Sequence, residues 1–382
     1  MSSSEAAFET VLAVETSCDD TSVAVVTREG RVRHVISANQ NRVHAIYGGI
    51  VPEIASRNHT YHLLPLVDEC LAKAGLTLND IDGFAVTSKP GLVGSLLVGL
   101  VAVKSMSLAT GKAFIGVNHL EGHLLAPFLK DDSYAPPSDF APPYVALAIS
   151  GGHTSLYNVK GLGDYEVLGR TIDDAAGEAF DKFGKMAGLG FPGGVRVDKL
   201  SKAGQAARFQ FPRSLIKEEH LAFSFSGMKT AASRTIEGLS VSEKSDLAKQ
   251  AQDFMAGGTV ATGVLADLCA SFQEAIGDVL IDRLDRAVTK YSSKRAVLTG
   301  GVSANSRLRE RAEEWALAKG VQLVVPPIRY CTDNAAMIGY AGISRLNRGE
   351  FSPQTLGPEP RAPLGASPLP ENLPEWLKKA KS

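Results

Sequence analysis

The sequence lacks the features that mark several large classes of protein. Its four cysteines, Cys18, Cys70, Cys269 and Cys331, form no Cys-x-x-Cys pair, which argues against a disulfide scaffold and against a thiolate zinc site. The net charge is −1 and no long basic run occurs, so bulk electrostatics does not indicate a nucleic-acid partner. These absences favour a globular protein of a reducing compartment.

Secretion and membrane signals are also missing. The first ten residues are polar and acidic and lack the apolar core of a signal peptide. The longest apolar stretch, Leu92 to Val103, is too short to span a bilayer and is interrupted by Gly94, Ser95 and Gly99. We therefore expect a cytoplasmic protein that has no membrane partner.

What the chain has is length, apolar residues and glycine: 382 residues, 44% hydrophobic, with 37 glycines. This suffices for two domains. An apolar run, the polar turn Glu15 to Thr21 and a second apolar run predict a hairpin, and the same pattern recurs around Ser150 to Thr154. The two hairpins predict an internal repeat, with a boundary in the proline- and serine-rich stretch Ser133 to Pro143.

Strands and helices alternate in both halves, which predicts an α/β fold of two related lobes around a cleft. We expect an N-terminal lobe over residues 1–135, a C-terminal lobe over 140–348 whose last helix returns to the first lobe, and an irregular tail over 349–382. The predicted helices include Ala45–Ala74, Asp173–Ala187, Thr259–Tyr291 and a last one that ends at Leu346 and is capped by Thr332 or Asp333.

The sharpest local pattern is Asn118-His119-Leu120-Glu121-Gly122-His123. On a helix, His119 and His123 lie four residues apart on one face and can share one metal ion. A protease of the HExxH type needs a glutamate directly after the first histidine, where this chain has Leu120. Asp333 would complete a set of two histidines and one carboxylate. The alternative for the two histidines is that they only pack or form hydrogen bonds at the edge of a lobe. The alternative for Asp333 is that it caps a helix.

Two glycine-rich segments, Ser150–Thr154 and Thr299–Asn305, follow predicted strands and favour either phosphate binding through backbone N–H groups or tight turns. Neither is a P-loop. In the predicted helix from Asp173, the acidic residues Asp174, Glu178 and Asp181 share one face, which is either solvated or binds ribose hydroxyls. The segment Phe223 to Thr230 is interpreted as a strand edge or a nucleotide contact.

Taken together, these segments resemble the TsaD family. Eight signature stretches occur in the family's order, from about Val11 to about Arg348: Glu15–Thr21, Asn118–His123, Ser150–Thr154, Asp173–Lys182, Phe191–Gly194, Phe223–Thr230, Gly300–Asn305 and Cys331–Ala336. The resemblance implies the two-lobed actin/sugar-kinase/Hsp70-like (ASKHA) fold. It also implies transfer of the threonylcarbamoyl group of threonylcarbamoyl-AMP to N6 of the adenosine 3′ of the anticodon, in tRNAs that read A-starting codons, with release of AMP.

The resemblance carries over to individual positions. The residues that match the family's metal ligands, with Fe2+ favoured and Zn2+ as the alternative, are His119, His123 and Asp333. The residues that match its contacts to substrate and adenine nucleotide are Ser150, Gly151, Gly152, Asp181, Gly194, Asp198 and Asn305. No residue is identified as general base. The resemblance further implies a TsaB-like paralogue and a TsaE-like ATPase as partners, or alternatively a homodimer.

One position departs from the family pattern, since Lys89 precedes Pro90-Gly91-Leu92 where the family commonly has glycine. A lysine there would add a phosphate or tRNA contact or accommodate a different turn. The basic residues near the motifs that are candidates for tRNA contact are Lys89, Arg170, Lys182, Lys185, Arg196 and Lys229. The rival hypotheses are an ATP-dependent kinase or ATPase, a glycoprotein endopeptidase and a non-catalytic scaffold.

Overall fold

The computed structural model describes residues 7–259, 262–362 and 364–365. They cluster into two compact units. The first holds the residues up to Ala141 together with Gly161–Asp164 and Pro326–Leu364, and the second holds Pro142–Lys160 and Tyr165–Val325. The last described helix therefore belongs to the first unit, although it follows most of the second unit in sequence.

Strands and helices alternate through both units. The strands are β1 (Thr10–Glu15), β2 (Asp20–Thr27), β3 (Val32–Asn39), β4 (Gly83–Lys89), β5 (Phe114–Asn118), β6 (Tyr144–Ile149), β7 (Thr154–Gly161), β8 (Asp164–Arg170), β9 (Arg295–Thr299) and β10 (Gln322–Val324). The helices are α1 (Asn41–Ala45), α2 (Pro52–Ala74), α3 (Val93–Thr110), α4 (His119–Leu125), α5 (Ala176–Met186), α6 (Gly193–Ser201), α7 (Ser226–Glu237), α8 (Val241–Met255), α9 (Val264–Lys290), α10 (Ser306–Lys319), α11 (Ile328–Cys331) and α12 (Ala335–Leu346).

The first unit is built on a sheet of strand order β3-β2-β1-β4-β5. The hairpin β1-β2 is antiparallel, whereas β1, β4 and β5 run parallel, so their carboxyl ends lie at one edge of the sheet. Alternate residues of β1 enter opposite cores: Val11 and Ala13 pack on the side of α12, and Leu12 and Val14 pack on the side of α2 and α3. Both faces are thereby covered, as is usual for parallel strands.

The second unit repeats this plan with the strand order β10-β9-β6-β7-β8. It again opens with an antiparallel hairpin, β6-β7, and β6 pairs with β9 in parallel. Its core includes the stacked rings of Phe183 and Phe272, whose centroids lie 4.1 Å apart. The predicted α/β class and the repeated hairpins are confirmed.

Several predicted boundaries were wrong. Within the predicted helix Ala45–Ala74, Ala45 is the last residue of α1 and α2 begins only at Pro52, with Pro65 inside it. Helix α5 begins at Ala176 rather than Asp173, because the Asp173 carboxylate instead accepts hydrogen bonds at the start of α7, from the Phe225 and Ser226 N–H groups.

Two further differences have local causes. Helix α9 begins at Val264 because Gly263 adopts a φ of 147° that breaks the helix, and residues 260 and 261 of the predicted Thr259–Tyr291 helix lie outside the described residues. The segment Phe223–Thr230 turns into α7 at Ser226 instead of continuing as a strand edge. Strands β3 and β8 and helix α6 were not predicted.

Helix α3 is longer than the apolar run Leu92 to Val103 suggested. It has 18 residues, and by length and composition alone it would be long enough to cross a membrane. It packs against β4 and α2, and its buried residues include Leu96, Leu100 and Val103. The core helix of a globular unit has the same properties.

Candidate functional site

The two histidines of the Asn118–His123 pattern lie side by side in the first unit. The chain leaves β5 at Asn118, whose side-chain oxygen accepts a 2.9 Å hydrogen bond from the Leu120 N–H and so caps α4. His119 and His123 are 5% and 0% exposed, and their rings meet edge to face at 4.7 Å. The predicted placement of both rings on one helical face is therefore observed.

Asp333 lies opposite both rings. Its Oδ1 is 3.4 Å from His119 Nε2 and 3.2 Å from His123 Nε2. Asp333 does not cap α12, since the cap is the Asn334 side chain, which accepts from the Met337 N–H at 3.0 Å. The helix-cap explanation of Asp333 is therefore wrong, and its carboxylate is directed at the histidines.

These three side chains fit a metal ion. Their nitrogen and oxygen donors all lie within 4.8 Å of one another, and the set is two imidazoles and one carboxylate. Bonds of about 2.0–2.2 Å to one ion require donors roughly 3.0–3.5 Å apart, which is close to the two histidine–aspartate distances. The carboxylate of Asp333 is 24% exposed, so the centre is open on one side.

A fourth side chain, Glu15, was missed as an individual site residue by the sequence analysis. Its Oε2 accepts from His119 Nδ1 at 2.9 Å and from the Thr87 hydroxyl at 2.5 Å, and its Oε1 accepts from the Ser17 N–H. Glu15 ends β1, Thr87 lies in β4 and His119 follows β5, so the parallel strand ends bring the three together. The available signal was a glutamate at the end of the apolar run of residues 11–14.

The charges of the centre depend on one another. Burial would raise the pKa of Glu15 and of Asp333, but the facing His119 ring outweighs it, and both pKa values lie below their ordinary range. Burial would lower the pKa of His119, but Asp333 and Glu15 raise it well above its ordinary value. Burial lowers the pKa of His123. The two carboxylates and the one imidazolium together have a net negative charge. This charge favours the binding of a metal cation, which would displace a proton from the His119 ring.

The turn between β1 and β2 adds further acidic groups beside this centre. Burial, with Asp333 and Asp19 nearby, raises the pKa of Asp20 to about 7. Burial and Asp333 also raise the pKa of Asp19. Burial raises the pKa of the Cys18 thiol, which is therefore not a thiolate at neutral pH.

In the second unit the two glycine-rich loops are neighbours. They follow the parallel strands β6 and β9, and a Cβ at Gly300 would lie 2.4 Å from the Ile149 carbonyl oxygen. Gly300 has a φ of 87°, a left-handed conformation that favours glycine. By contrast, a Cβ at Gly151, Gly152 or Gly301 would meet nothing within 4 Å. Space is therefore open above the backbone of both loops.

The N-terminus of α5 abuts the first of these loops. A Cβ at Gly177 would lie 2.6 Å from the Ser150 carbonyl oxygen, so only glycine permits this approach. The Ala176 N–H donates to the Thr154 hydroxyl at 2.9 Å, and the Ser150 hydroxyl accepts from the His153 N–H at 3.1 Å. A helix N-terminus facing a glycine loop is favourable for an anion.

The remaining predicted substrate contacts hold α5, α6, α9 and α10 together. Asp181 accepts from the Gly193 N–H at 2.7 Å, directly before Gly194. Asp198 accepts from the Ser306 N–H and hydroxyl at 3.1 and 2.8 Å. The Asn305 oxygen caps α10 at the Leu308 N–H, and its amide donates to Gln273. Beside them lies a cavity of about 950 Å³, whose lining includes Ser201, Lys202, Phe209, Gln273, Ser306 and Arg307.

Asp174, Glu178 and Asp181 do not form the predicted helical stripe, because Asp174 precedes α5. The Lys182 ammonium pairs with both Asp174, at 2.6 Å, and Glu178, at 2.9 Å. Three of the six basic residues predicted near tRNA also have a partner within the chain. Lys182 is one, Arg196 donates to the Leu189 carbonyl, and Lys89 pairs with Glu359 at 3.1 Å.

Comparison with known proteins identifies the family. The family model described as "TsaD: tRNA N6-adenosine threonylcarbamoyltransferase" matches residues 31–340. A relative from Bdellovibrio bacteriovorus with the name tRNA N6-adenosine threonylcarbamoyltransferase is 61% identical, covering 93% of this chain and 98% of its own. A relative of the same name from Anaeromyxobacter dehalogenans is 48% identical, covering 92% and 98%.

Among solved structures, full-length HypF in its phosphate- and nucleotide-bound form is similar at 12% identity and a TM-score of 0.53, over 89% of this chain and 47% of that chain. HypF from T. kodakarensis gives 12% and 0.51, over 87% and 48%. These likenesses bear on the fold alone, which is of the expected ASKHA class. The chain belongs to the TsaD family, the tRNA N6-adenosine threonylcarbamoyltransferases.

Proposed function

We propose that the chain transfers the threonylcarbamoyl group of threonylcarbamoyl-AMP to N6 of the adenosine 3′ of the anticodon in tRNA. The N6 nitrogen forms a bond to the carbamoyl carbon and loses a proton, and the bond from that carbon to the phosphate oxygen breaks. AMP leaves with the bonding electron pair. This function rests on the family and on one observation in the site, the convergence of His119, His123 and Asp333.

His119, His123 and Asp333 would hold one divalent metal ion, for which we favour Fe2+ over Zn2+. Two histidines and one carboxylate are the facial set of non-haem iron sites, and they also occur in catalytic zinc sites. When bound, such an ion orients and polarises a carbonyl group of the donor. The chain's own contribution is to keep the rings buried and the Asp333 carboxylate partly open, so that donor can reach the centre.

The second unit would bind the adenine nucleotide. Its glycine loops at Gly151-Gly152 and Gly300-Gly301 have open backbone beside the N-terminus of α5, and such N–H groups stabilise the charge of a phosphate that is leaving. We assign Asp181, Gly194, Asp198 and Asn305 to the nucleoside part of the donor. The cavity that is lined by Ser306 and Arg307 would accept its base.

We thus assign metal binding to the N-terminal lobe and nucleotide binding to the C-terminal lobe. The rival hypotheses on this fold explain less. A kinase or ATPase needs a carboxylate base and magnesium but no histidine pair, and magnesium prefers oxygen ligands. A non-catalytic scaffold needs neither. The proposed substrate implies that the protein acts in the cytoplasm, where tRNA is available.

Donor chemistry separates these hypotheses. The purified protein is given threonylcarbamoyl-AMP labelled in its threonine, or ATP alone, in the presence of tRNA. We expect label in tRNA and one AMP released per label, with ATP hydrolysis far slower. Hydrolysis of ATP without use of the labelled donor would favour the ATPase hypothesis.

We further propose that a TsaB-like paralogue and a TsaE-like ATPase raise the transfer activity of the chain markedly, with a homodimer as the alternative. The support is a set of exposed apolar side chains on helices α2 and α3, which pack against each other, since exposed apolar side chains that cluster mark interaction surfaces. Its residues are Tyr61, Leu64, Val93, Leu97, Val101 and Leu108, each more than 45% exposed.

Charge on this face tests the partner proposal. Leu97→Glu should abolish the increase in transfer that the TsaB-like and TsaE-like proteins produce, since Leu97 is 48% exposed and its change spares the core. Leu317→Glu, at an 86% exposed leucine of α10, is the matched control. Full multi-turnover activity of the chain alone, unaffected by either partner, would contradict partner dependence and favour a homodimer.

A further inference from the structure

The two ring nitrogens of His119 face different carboxylates. Nε2 lies 3.4 Å from Asp333, whereas Nδ1 lies 2.9 Å from Glu15. The nitrogens of an imidazole point in divergent directions, so Glu15 does not lie on the side of the ring where His119, His123 and Asp333 converge. Glu15 is therefore placed to orient a ligand and not to act as one.

Glu15 is itself held firmly. It is 0% exposed, and a buried carboxylate must have hydrogen-bond donors. The Thr87 hydroxyl and the His119 ring both donate to its Oε2, and the Ser17 N–H donates to its Oε1. Both oxygens thus have donors from three separate segments. A carboxylate fixed in this way holds the His119 ring in one orientation and keeps a proton on the ring nitrogen that faces it.

We propose that Glu15 is a positioning residue of the metal centre, which keeps the proton of neutral His119 on Nδ1 and leaves Nε2 free to bind the ion. The inference rests on the proposed metal site. Since a carboxylate accepts and never donates, its partner nitrogen must carry the proton, and the other nitrogen then has the lone pair that a metal needs. Carboxylates that bind metal-ligating histidines in this way raise the basicity of the ligand and fix its tautomer.

The neighbouring side chains supply a graded set of variants. Glu15→Gln keeps an acceptor for Nδ1 but removes the charge, and Glu15→Ala removes both. Thr87→Val keeps the volume and removes one donor to Glu15. Thr16→Val is the matched control, because the Thr16 hydroxyl is equally buried one residue away but donates to the Ser95 carbonyl oxygen at 2.8 Å.

Zinc affinity is measured for each protein by competition with a chelator, after the metal has been removed. We expect the parent to bind one ion per chain. Zinc affinity should fall about 10–100-fold in Glu15→Gln and further in Glu15→Ala. It should fall less in Thr87→Val and stay unchanged in Thr16→Val. Histidine-labelled parent with zinc should show by 15N NMR that Nδ1 of His119 is protonated and Nε2 is bound, and Glu15→Ala should lose this signature.

The outcomes distinguish failure of the proposed metal site from failure of the positioning role of Glu15. A parent that binds no zinc overturns the proposed metal site and this inference with it. A parent that binds zinc, with Glu15→Gln and Thr87→Val that match its affinity, overturns only the positioning role. If Glu15→Ala fails to fold, Glu15→Gln, Thr87→Val and the His119 tautomer of the parent still test the positioning role. An ion bound to Nδ1 of His119 would refute the inference outright.

Discussion

Asp20 offers a direct test of the electrostatics around the candidate metal centre. Its carboxylate accepts a 2.7 Å hydrogen bond from Asn39 and lies near Asp19 and Asp333. Burial and these charges raise its pKa from 3.8 to about 7. In the unfolded chain the group ionises above about pH 4, whereas in the folded protein it ionises only near pH 7. Asp20 therefore lowers the free energy of unfolding by an amount that grows between these two pH values and stays constant at higher pH.

The magnitude follows from the pKa difference. At 1.36 kcal/mol per pKa unit, a shift of roughly three units corresponds to about 4 kcal/mol, the upper limit for a partly exposed group. Asp20→Asn keeps the acceptor for Asn39 and removes the charge. We expect it to raise the free energy of unfolding of the metal-free protein by up to about 4 kcal/mol at pH 8 and by almost nothing at pH 4.

The assay is urea unfolding of chelator-treated protein, followed by circular dichroism from pH 4 to 8. Asp164→Asn is the matched control, since Asp164 also begins a strand but is exposed. Added metal should reduce the advantage of Asp20→Asn, because a cation offsets the negative charge. Parallel curves of stability against pH for the parent and Asp20→Asn would refute the reasoning.

Three other predictions concern the ligands themselves. His119→Ala and His123→Ala should each lower metal content sharply in purified protein, and unchanged stoichiometry in both would remove them as ligands. Gly152→Val should weaken AMP binding, because the side chain blocks the approach of phosphate to the backbone, and it should leave the fold intact, because a Cβ there meets nothing within 4 Å. The control is Gly161→Val, at an equally open position. Equal AMP affinity of Gly152→Val and the parent would place the nucleotide elsewhere. Since the net charge is −1, the isolated chain should bind tRNA weakly, with affinity that falls steeply as salt rises; salt-independent binding in a filter assay would contradict this.

The sequence predicted well those features that depend on local patterns. The hairpin turn at Ser150–Thr154 follows from apolar runs on either side of glycine, and the shared face of His119 and His123 follows from their spacing of four. Both are set by neighbours along the chain, so one sequence suffices to predict them. Local patterns left Asp333 as either a third metal ligand or a helix cap, and the family resemblance favoured the ligand.

The features that were missed depend on contacts between distant segments. The partner of Glu15 lies 104 residues away in His119, and only the strand order brings them together. The start of α5 was misplaced because Asp173 binds Phe225 N–H, 52 residues further on. The ion pair of Lys89 with Glu359, 270 residues away, was likewise not predicted. No periodicity within a window of the sequence reports such contacts.

The identity of the product tests the proposed transfer most directly. The purified protein, with its TsaB-like and TsaE-like partners, is incubated with threonylcarbamoyl-AMP and a tRNA that has adenosine 3′ of the anticodon. The tRNA is then digested to nucleosides for mass spectrometry. We predict N6-threonylcarbamoyladenosine in this tRNA, none when that adenosine is replaced by guanosine, and none with His119→Ala. Unmodified adenosine throughout, while the donor is consumed by the parent protein, would contradict the proposed transfer.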